Sequence, residues 1–436
     1  MRARRTLIPL ALVCIWSLPN IAETARAQSC LDDPTQLGAV TLLADTCLDG
    51  PGPLPNTTCR SVLVECDSLN PIVCSLRITE PDSGVGLRGT VVFGTGGSGT
   101  EFYGAQADGQ ALFTELAARG FRIVDRKWAN PGWFSGDAKT RWGSCRYATL
   151  ITWVHDNIHT AGAFCASGNS GGSAEIGFAL TSWGRGAILD VAVPTSGPPL
   201  GRLDYACPQP PPAEWLAICD TIVPPGFLQC GEPACSIGPT NPVCAQCGPT
   251  PTAAELRNQS VVNEEAVLDY PTTLVHILFG ALDCGASIPM GLTWADVITS
   301  ARIVEYVPNT PHRLWSTPEG RAAIVRALLL GTGGTGVEGA AAGTAPRALL
   351  ETWPNPSRGT ARFVLDLQRE ADVTLSIYDL TGRRVRRTHE GRRAAGRAFL
   401  AWDGRDDRGA ALAPGVYVAR AAWDGGSSEA RVTLLR

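Results

Sequence analysis

The sequence predicts an α/β body built on a mostly parallel sheet with helices on both faces, followed by a small all-β sandwich. Three observations carry that expectation. Apolar, strand-like runs alternate with amphipathic, helix-like runs between about residue 88 and residue 330, the pattern of βαβ units. The stretch Gly331 to Pro346 ("GTGGTGVEGAAAGTAP") is small and flexible, with the chemistry of a linker. After it, short runs of period two are punctuated by turn residues. A chain of 436 residues, 44% hydrophobic and 18% charged, is long enough for one large and one small folded domain.

Taken in order, the first element is an export signal over residues 1–27. Arg2, Arg4 and Arg5 make a basic start, Leu7 to Trp16 is almost entirely apolar, and Ala25-Arg26-Ala27 offers a small-x-small cleavage site. The apolar run is too short for a membrane span and no later segment reaches that length, so the mature chain is expected to be secreted or held at the cell surface. Of the 15 cysteines, Cys14 leaves with the signal and the other 14 lie between Cys30 and Cys284. An even number in an exported chain predicts disulfides. Cys244-x-x-Cys247 with Cys230 and Cys235 also suits a zinc ribbon, but no His lies between Cys207 and Cys247 and the compartment is oxidising. No metal and no cofactor is expected.

The body is expected over residues 28–330. It opens with antiparallel strands between Ala39 and Thr79, pinned by Cys47, Cys59, Cys66 and Cys74. Strands follow at Arg88–Phe93, Phe121–Asp125, Ala163–Ala166, Ala187–Val193, Thr272–Phe279 and Arg302–Val307. Helices are expected at Gln106–Arg119, Arg146–Ile158, Ser173–Ser182 and Thr317–Leu330. Residues 205–255 are rich in Pro and Cys and too long for a simple connection, so they are expected to form a disulfide-stiffened lid over the site.

A linker over 331–348 leads to a β-sandwich over 349–436. Ala361–Leu367 and Val373–Tyr378 alternate polar and apolar, Asp379-Leu-Thr-Gly382 and Asp403-Gly404 are turn signals, and Gly415–Arg420 is a further strand. The words "WPNPSRG", "IYDLTGRRVR", "WDGRDDRG" and "PGVYVAR" resemble the FlgD-like immunoglobulin-like tails of bacterial exported enzymes, some of which serve as type IX secretion sorting domains. The resemblance implies a partner in the bacterial secretion machinery or the cell surface, and no chemistry of its own. From Ala345 onward 16 Arg stand against 11 acids, whereas the body carries about −12. The overall net charge of −4 argues against nucleic acid as a partner.

The chemistry centres on Cys165–Glu175, "CASGNSGGSAE". It fits the Gly-x-Ser-x-Gly elbow of α/β-hydrolases and, less well, the Gly-Asp-Ser-Gly-Gly run of chymotrypsin-like proteases. The protease fold needs β-rich surroundings with its His and Asp upstream. Here Asn169 stands in the acid's place, and the upstream His155 and His159 lie on a helical segment. Ser170 instead sits between an apolar strand and a helix, with Gly168 and Gly172 letting the two approach.

In the hydrolase order the acid and then the base follow the serine. Among five histidines, His389 lies in the tail, His276 in mid-strand, and His155 and His159 precede Ser170. His312 remains, directly after the last strand of the body. Asp283 lies in a Gly-bounded loop just past the strand ending at Phe279 and 29 residues before His312, with Asp204 as the alternative acid. Oxyanion donors are expected from the Gly171 amide and from Gly96 or Gly97 in "FGTGGSGTEFY", a loop that resembles the HGGG-type turn of lipases and esterases with Thr95 in place of the His. A phosphate loop is the rival reading, and it lacks the Gly-Lys-Ser/Thr ending. In "DRKWANPGWFSG", Trp128, Trp133 and Phe134 are expected to line a substrate cleft, with core packing as the alternative.

With elbow, glycine loop and ordered triad in place, residues 35–330 resemble the secreted α/β-hydrolase superfamily. The resemblance implies a serine hydrolase that cleaves carboxylic esters (small, aromatic or polymeric) through an acyl-enzyme. A peptidase on the same scaffold and a noncatalytic surface-binding protein are the alternatives.

Overall fold

The computed structural model describes residues 30–435 apart from 32–35, 47–49, 51, 135–138, 224–225, 333–349, 354–356, 358–359, 368–369, 394–395 and 425. The expected export signal and nearly all of the expected linker therefore lie outside the described residues.

Nine strands form the sheet of the body: β1 Ala39–Ala44, β2 Thr57–Glu65, β3 Ile72–Thr79, β4 Gly89–Gly94, β5 Phe121–Trp128, β6 Ala163–Asn169, β7 Val191–Thr195, β8 Leu274–Gly280 and β9 Arg302–Val307. Their spatial order is β1-β2-β3-β5-β4-β6-β7-β8-β9. The pairs from β1 through β3 to β5 are antiparallel and the rest are parallel. This is the expected α/β class with a mostly parallel sheet. The chain leaves β4 towards β5 on one side and returns to β6 on the other, so the sheet's order reverses at β4. The crevice outside the carboxyl ends of β4 and β6 is where such sheets hold their ligands.

Helices α1 Ala107–Ala118, α2 Thr140–Asn157, α3 Gly171–Thr181, α8 Ser287–Ala295 and α9 Pro318–Gly331 cover the two faces, and the short helices α4 Leu203–Ala206, α5 Ala213–Ile222, α6 Pro242–Ala245 and α7 Ala253–Asn258 lie between β7 and β8. The strands alternate with period two. Val91, Phe93, Ile123, Cys165, Val191 and Val193 face the core under α1 and α9. Val92, Val124, Ala166 and Ala192 face the core under α2, α3 and α8.

Three differences from the sequence expectation matter. β5 runs on to Trp128, because Asp125 and Arg126, which resemble a strand end, are both buried with partners. β7 starts at Val191, since Asp190 accepts a hydrogen bond from the Phe164 amide at 2.8 Å just before it. Cys74 pins no strand: it is a free, buried thiol in the α2 face core, and Cys66 pairs with Cys145. Four further disulfides between described residues, Cys30–Cys247, Cys207–Cys244, Cys219–Cys235 and Cys230–Cys284, take up the cysteines of the zinc-ribbon alternative.

The C-terminal region is all-β. Strands β10 Leu350–Trp353, β11 Ala361–Leu367 and β14 Gly396–Trp402 form one antiparallel sheet, and β12 Ala371–Asp379, β13 Arg384–Arg393, β15 Gly415–Trp423 and β16 Gly426–Leu434 form another. Phe363, Leu365 and Trp402 from the first pack with Val373, Leu375, Ile377 and Ala419 from the second in one core, as a sandwich requires. No helix among the described residues is long and apolar enough to cross a membrane.

Candidate active site

Ser170 is the turn between β6 and α3. Its backbone sits at φ 54°, ψ −113°, a conformation that residues other than glycine rarely adopt. The turn is held from several sides. The Ser170 amide donates to the Thr195 carbonyl at 2.9 Å, the Ser170 carbonyl accepts from the Ala174 amide at 3.0 Å, and buried Asn169 accepts from the Thr195 hydroxyl at 2.9 Å. The flanking glycines are required by contact: a Cβ on Gly168 would lie 2.6 Å from the Gly172 carbonyl carbon, and one on Gly172 would lie 2.5 Å from the Gly94 carbonyl oxygen.

Asp283 and His312 approach from the other side. Asp283 follows β8 and is 5% exposed. Its Oδ2 is 2.7 Å from His312 Nδ1 and accepts a hydrogen bond from the Ser287 hydroxyl at 3.1 Å. Its Oδ1 accepts from the Gly285 amide at 3.1 Å. A carboxylate with both oxygens occupied holds one orientation, and an imidazole bonded through Nδ1 presents Nε2 outward. Ser287, at the start of α8, is a member of this set that the sequence did not single out. Asp204, the alternative acid, is paired with Arg202 at 2.5 Å.

Ser170 and His312 line one cavity of about 440 Å³ together with Thr95, Gly96, Gly97, Glu101, Gln106 and Trp315. Gly171 begins α3, whose N-terminal amides favour negative charge. A Cβ on Gly171 would lie 2.0 Å from the Gly97 carbonyl oxygen and 2.8 Å from the Gly97 nitrogen, so the two backbones are in direct contact. A Cβ on Gly96 would lie 3.2 Å from Ser170 Cβ. Gly96 thus lies against Ser170, and Gly97 against Gly171, the residue after it.

The glycine loop is shaped by β5 and the segment after it. Asp125 accepts hydrogen bonds from the amides of Tyr103 and Gly104, both at 2.9 Å. Burial raises Asp125 to about 7, against the opposing pull of those two amides and of Arg77 and Arg126. Thr95, in the position of the lipase His, donates to the Glu101 carbonyl at 2.9 Å. Arg126 Nη1 and the Trp128 amide both donate to the Gly99 carbonyl, at 3.0 and 2.9 Å.

The aromatic expectation is corrected here. Trp128 and Trp133 are fully buried and neither lines the cavity, and Phe134 packs against the core. Trp128 points inward because β5 extends to include it. Trp133 donates from its indole to the Gly97 carbonyl at 3.3 Å and from its amide to the Ser98 carbonyl at 3.1 Å. These tryptophans support the loop from behind. The aromatic residues of the cavity are Phe102, Tyr103 and Trp315.

None of the described residues of the Pro/Cys-rich segment 205–255 lines the cavity. Among its contacts are the loops that carry Asp283 and His312. The Gln229 amide donates to the Ala281 carbonyl at 2.7 Å, its side-chain carbonyl accepts from the Asn309 amide at 2.8 Å, the Ala234 amide donates to the Cys284 carbonyl at 3.0 Å, and Cys230 is bonded to Cys284, next to Asp283.

Residues 352–427 match the family model of the FlgD Ig-like domain. No curated protein matches the chain. Among solved structures, dimeric latent PorU from Porphyromonas gingivalis is 25% identical over 21% of this chain and 10% of its own length, so the chain spans a tenth of that relative (TM-score 0.19). The thermophilic esterase Est2 of the Planctomycetes species Thermogutta terrifontis is 14% identical over 64% of this chain and 91% of that one, with a TM-score of 0.39. XC6422 from Xanthomonas campestris, described as an α/β serine hydrolase without a lid, is 12% identical over 69% and 95%, with a TM-score of 0.36.

Proposed function

We propose that this chain is an exported serine hydrolase of carboxylic esters. One observation carries the proposal: a serine with a left-handed backbone, in a strand-to-helix turn, shares a cavity with a histidine whose Nδ1 is 2.7 Å from a buried aspartate. In this reading the Ser170 hydroxyl attacks the ester carbonyl carbon as His312 Nε2 takes its proton. Asp283 holds the ring and stabilises the imidazolium. The Gly171 amide, with Gly97 or Gly96, binds the oxyanion. The alkoxide leaves with the proton returned from His312, and water, deprotonated by the same nitrogen, releases the acid from the acyl-enzyme.

Export rests on the signal-like start, the five described disulfides and the tail domain, which we read as the element that engages the secretion machinery or the cell surface. The segment 205–255 is read as a brace for the acid and base loops in place of the expected lid.

The test is turnover of 4-nitrophenyl esters of graded chain length and of aromatic and polyester substrates by the purified full chain and by Ser170→Ala. Ester cleavage by the parent that falls by about 10⁴-fold or more in the variant supports the proposal. Amide cleavage without ester cleavage would favour a peptidase, and equal turnover by both chains would refute a Ser170 mechanism.

A further inference from the structure

A buried ion pair links the glycine loop to helix α3 without lining the cavity. Arg126 on β5 and Glu175 on α3 are paired with side chains fully removed from solvent, and neither lines the cavity. Two charges inside a core are costly to desolvate, and apolar replacements of similar volume are often neutral or stabilising. Fold stability is therefore a poor account of the pair, and the places it joins suggest a different one. Arg126 reaches the Gly99 carbonyl through Nη1 and Glu175 through Nη2. The other oxygen of Glu175 accepts from the Trp128 indole at 2.8 Å. Glu175 lies five residues after Ser170, on the helix that follows it. Gly94 and Gly99 close over the guanidinium, where added Cβ atoms would lie 2.4 and 2.2 Å from its nitrogens.

We propose that Arg126 and Glu175 are positioning residues: they tie the glycine loop to the nucleophile helix so that the amides of Gly97 and Gly171 converge on one anion. The claim rests on Ser170 acting in acyl transfer. The loop needs such a tie because Gly97 and Gly99 both have positive φ, at 59° and 76°, and glycine adopts this and many other conformations equally well. Misplaced oxyanion donors weaken the transition state more than bound substrate, so the effect falls on kcat rather than KM.

The experiment compares the full chain with the double variant Arg126→Met/Glu175→Leu, which removes both charges and keeps the volume. Three readouts are taken: thermal melting, kcat and KM for 4-nitrophenyl acetate, and inhibition by a trifluoromethyl ketone that forms a tetrahedral serine adduct. The expected result is a variant that melts cooperatively near the parent's temperature, keeps KM within about threefold, and loses roughly 10- to 100-fold in kcat and a similar factor in ketone affinity. Arg126→Lys covers a double variant that fails to fold. It keeps a cation for Glu175 but has no fork to reach Gly99 as well, and a loss of about tenfold in kcat at constant KM is expected. A folded double variant with kcat and ketone affinity within threefold of the parent overturns the proposal. So does full kcat in Arg126→Lys if the double variant does not fold. A parent chain with no ester turnover and no ketone binding counts against Ser170 acyl transfer itself.

Discussion

The two halves of the site are held in place by different chemistry. The half that carries Ser170 and the glycine loop is secured by backbone contact, buried hydrogen bonds and an interior ion pair, all within the sheet and α3. The half that carries Asp283 and His312 sits on two loops beyond β8 and β9, steadied from outside by the disulfide-rich segment through Cys230–Cys284 and Gln229. The nucleophile half is therefore part of the core and should hold its geometry as long as the fold persists. The acid and base half depends on an added structure and should loosen while the fold survives.

The largest expected effects come from the two residues that carry the chemistry of the loop-borne half. His312→Ala should lower kcat by about 10⁴-fold, and Asp283→Asn by a comparable factor, with melting temperatures near the parent's because both side chains lie on loops. Steady-state kinetics beside a thermal melt check this, and a variant with near-parental kcat would remove that residue from the mechanism. Next comes Gly171→Ala, which drives a methyl into the Gly97 carbonyl at 2.0 Å. It should cost about 10²- to 10³-fold in kcat and also lower the melting temperature, the sign of a defect within the core.

The contrast sharpens with Cys230→Ala/Cys284→Ala. Loss of this cross-link should lower stability by about 2–4 kcal/mol and kcat by about tenfold, and a mild reductant should reproduce the activity loss in the parent before global unfolding. Gln229→Ala, which loses one bridge to the base loop, should cost a few-fold in kcat with little change in melting. If the cysteine variant kept full kcat while Gly171→Ala did so as well, the division between the halves would have no content.

A last effect concerns the pH dependence of stability and leaves turnover aside. Asp125, raised by burial to about 7, binds a proton in the folded chain between about pH 4 and 7 that the unfolded chain has already released. Its contribution to stability therefore falls as pH rises through that window and levels off above it. Asp125→Asn cannot ionise, so its melting temperature relative to the parent should shift in its favour from pH 4 to pH 8. A constant difference across that range would show that Asp125 is charged in the folded chain throughout.

The three triad candidates were legible because scarcity and chain order constrain them: five histidines leave one after the last strand of the body, and the elbow is flanked by a strand and a helix. The supporting residues were harder to read. Asp125 and Arg126 resemble the end of a strand, since their partners, the Tyr103 and Gly104 amides and Glu175, are distant in sequence. That error moved Trp128 from the core to a supposed cleft. A signal for Glu175 was available: it is the one charged residue in the helix "GGSAEIGFALT", all of which is buried, and a charge there requires a partner. The Pro and Cys content of 205–255 marks an insertion stiffened by disulfides, but its attachment to the acid and base loops depends on pairings that spacing does not determine.

Covalent capture asks whether Ser170 is a nucleophile activated by His312. The full chain is incubated with a fluorophosphonate and the modified peptide is located by mass spectrometry. One stoichiometric adduct is expected on Ser170, lost in Ser170→Ala and slowed by about 10³-fold or more in His312→Ala. An adduct on a different residue, or labelling of Ser170 at the same rate without His312, would contradict it.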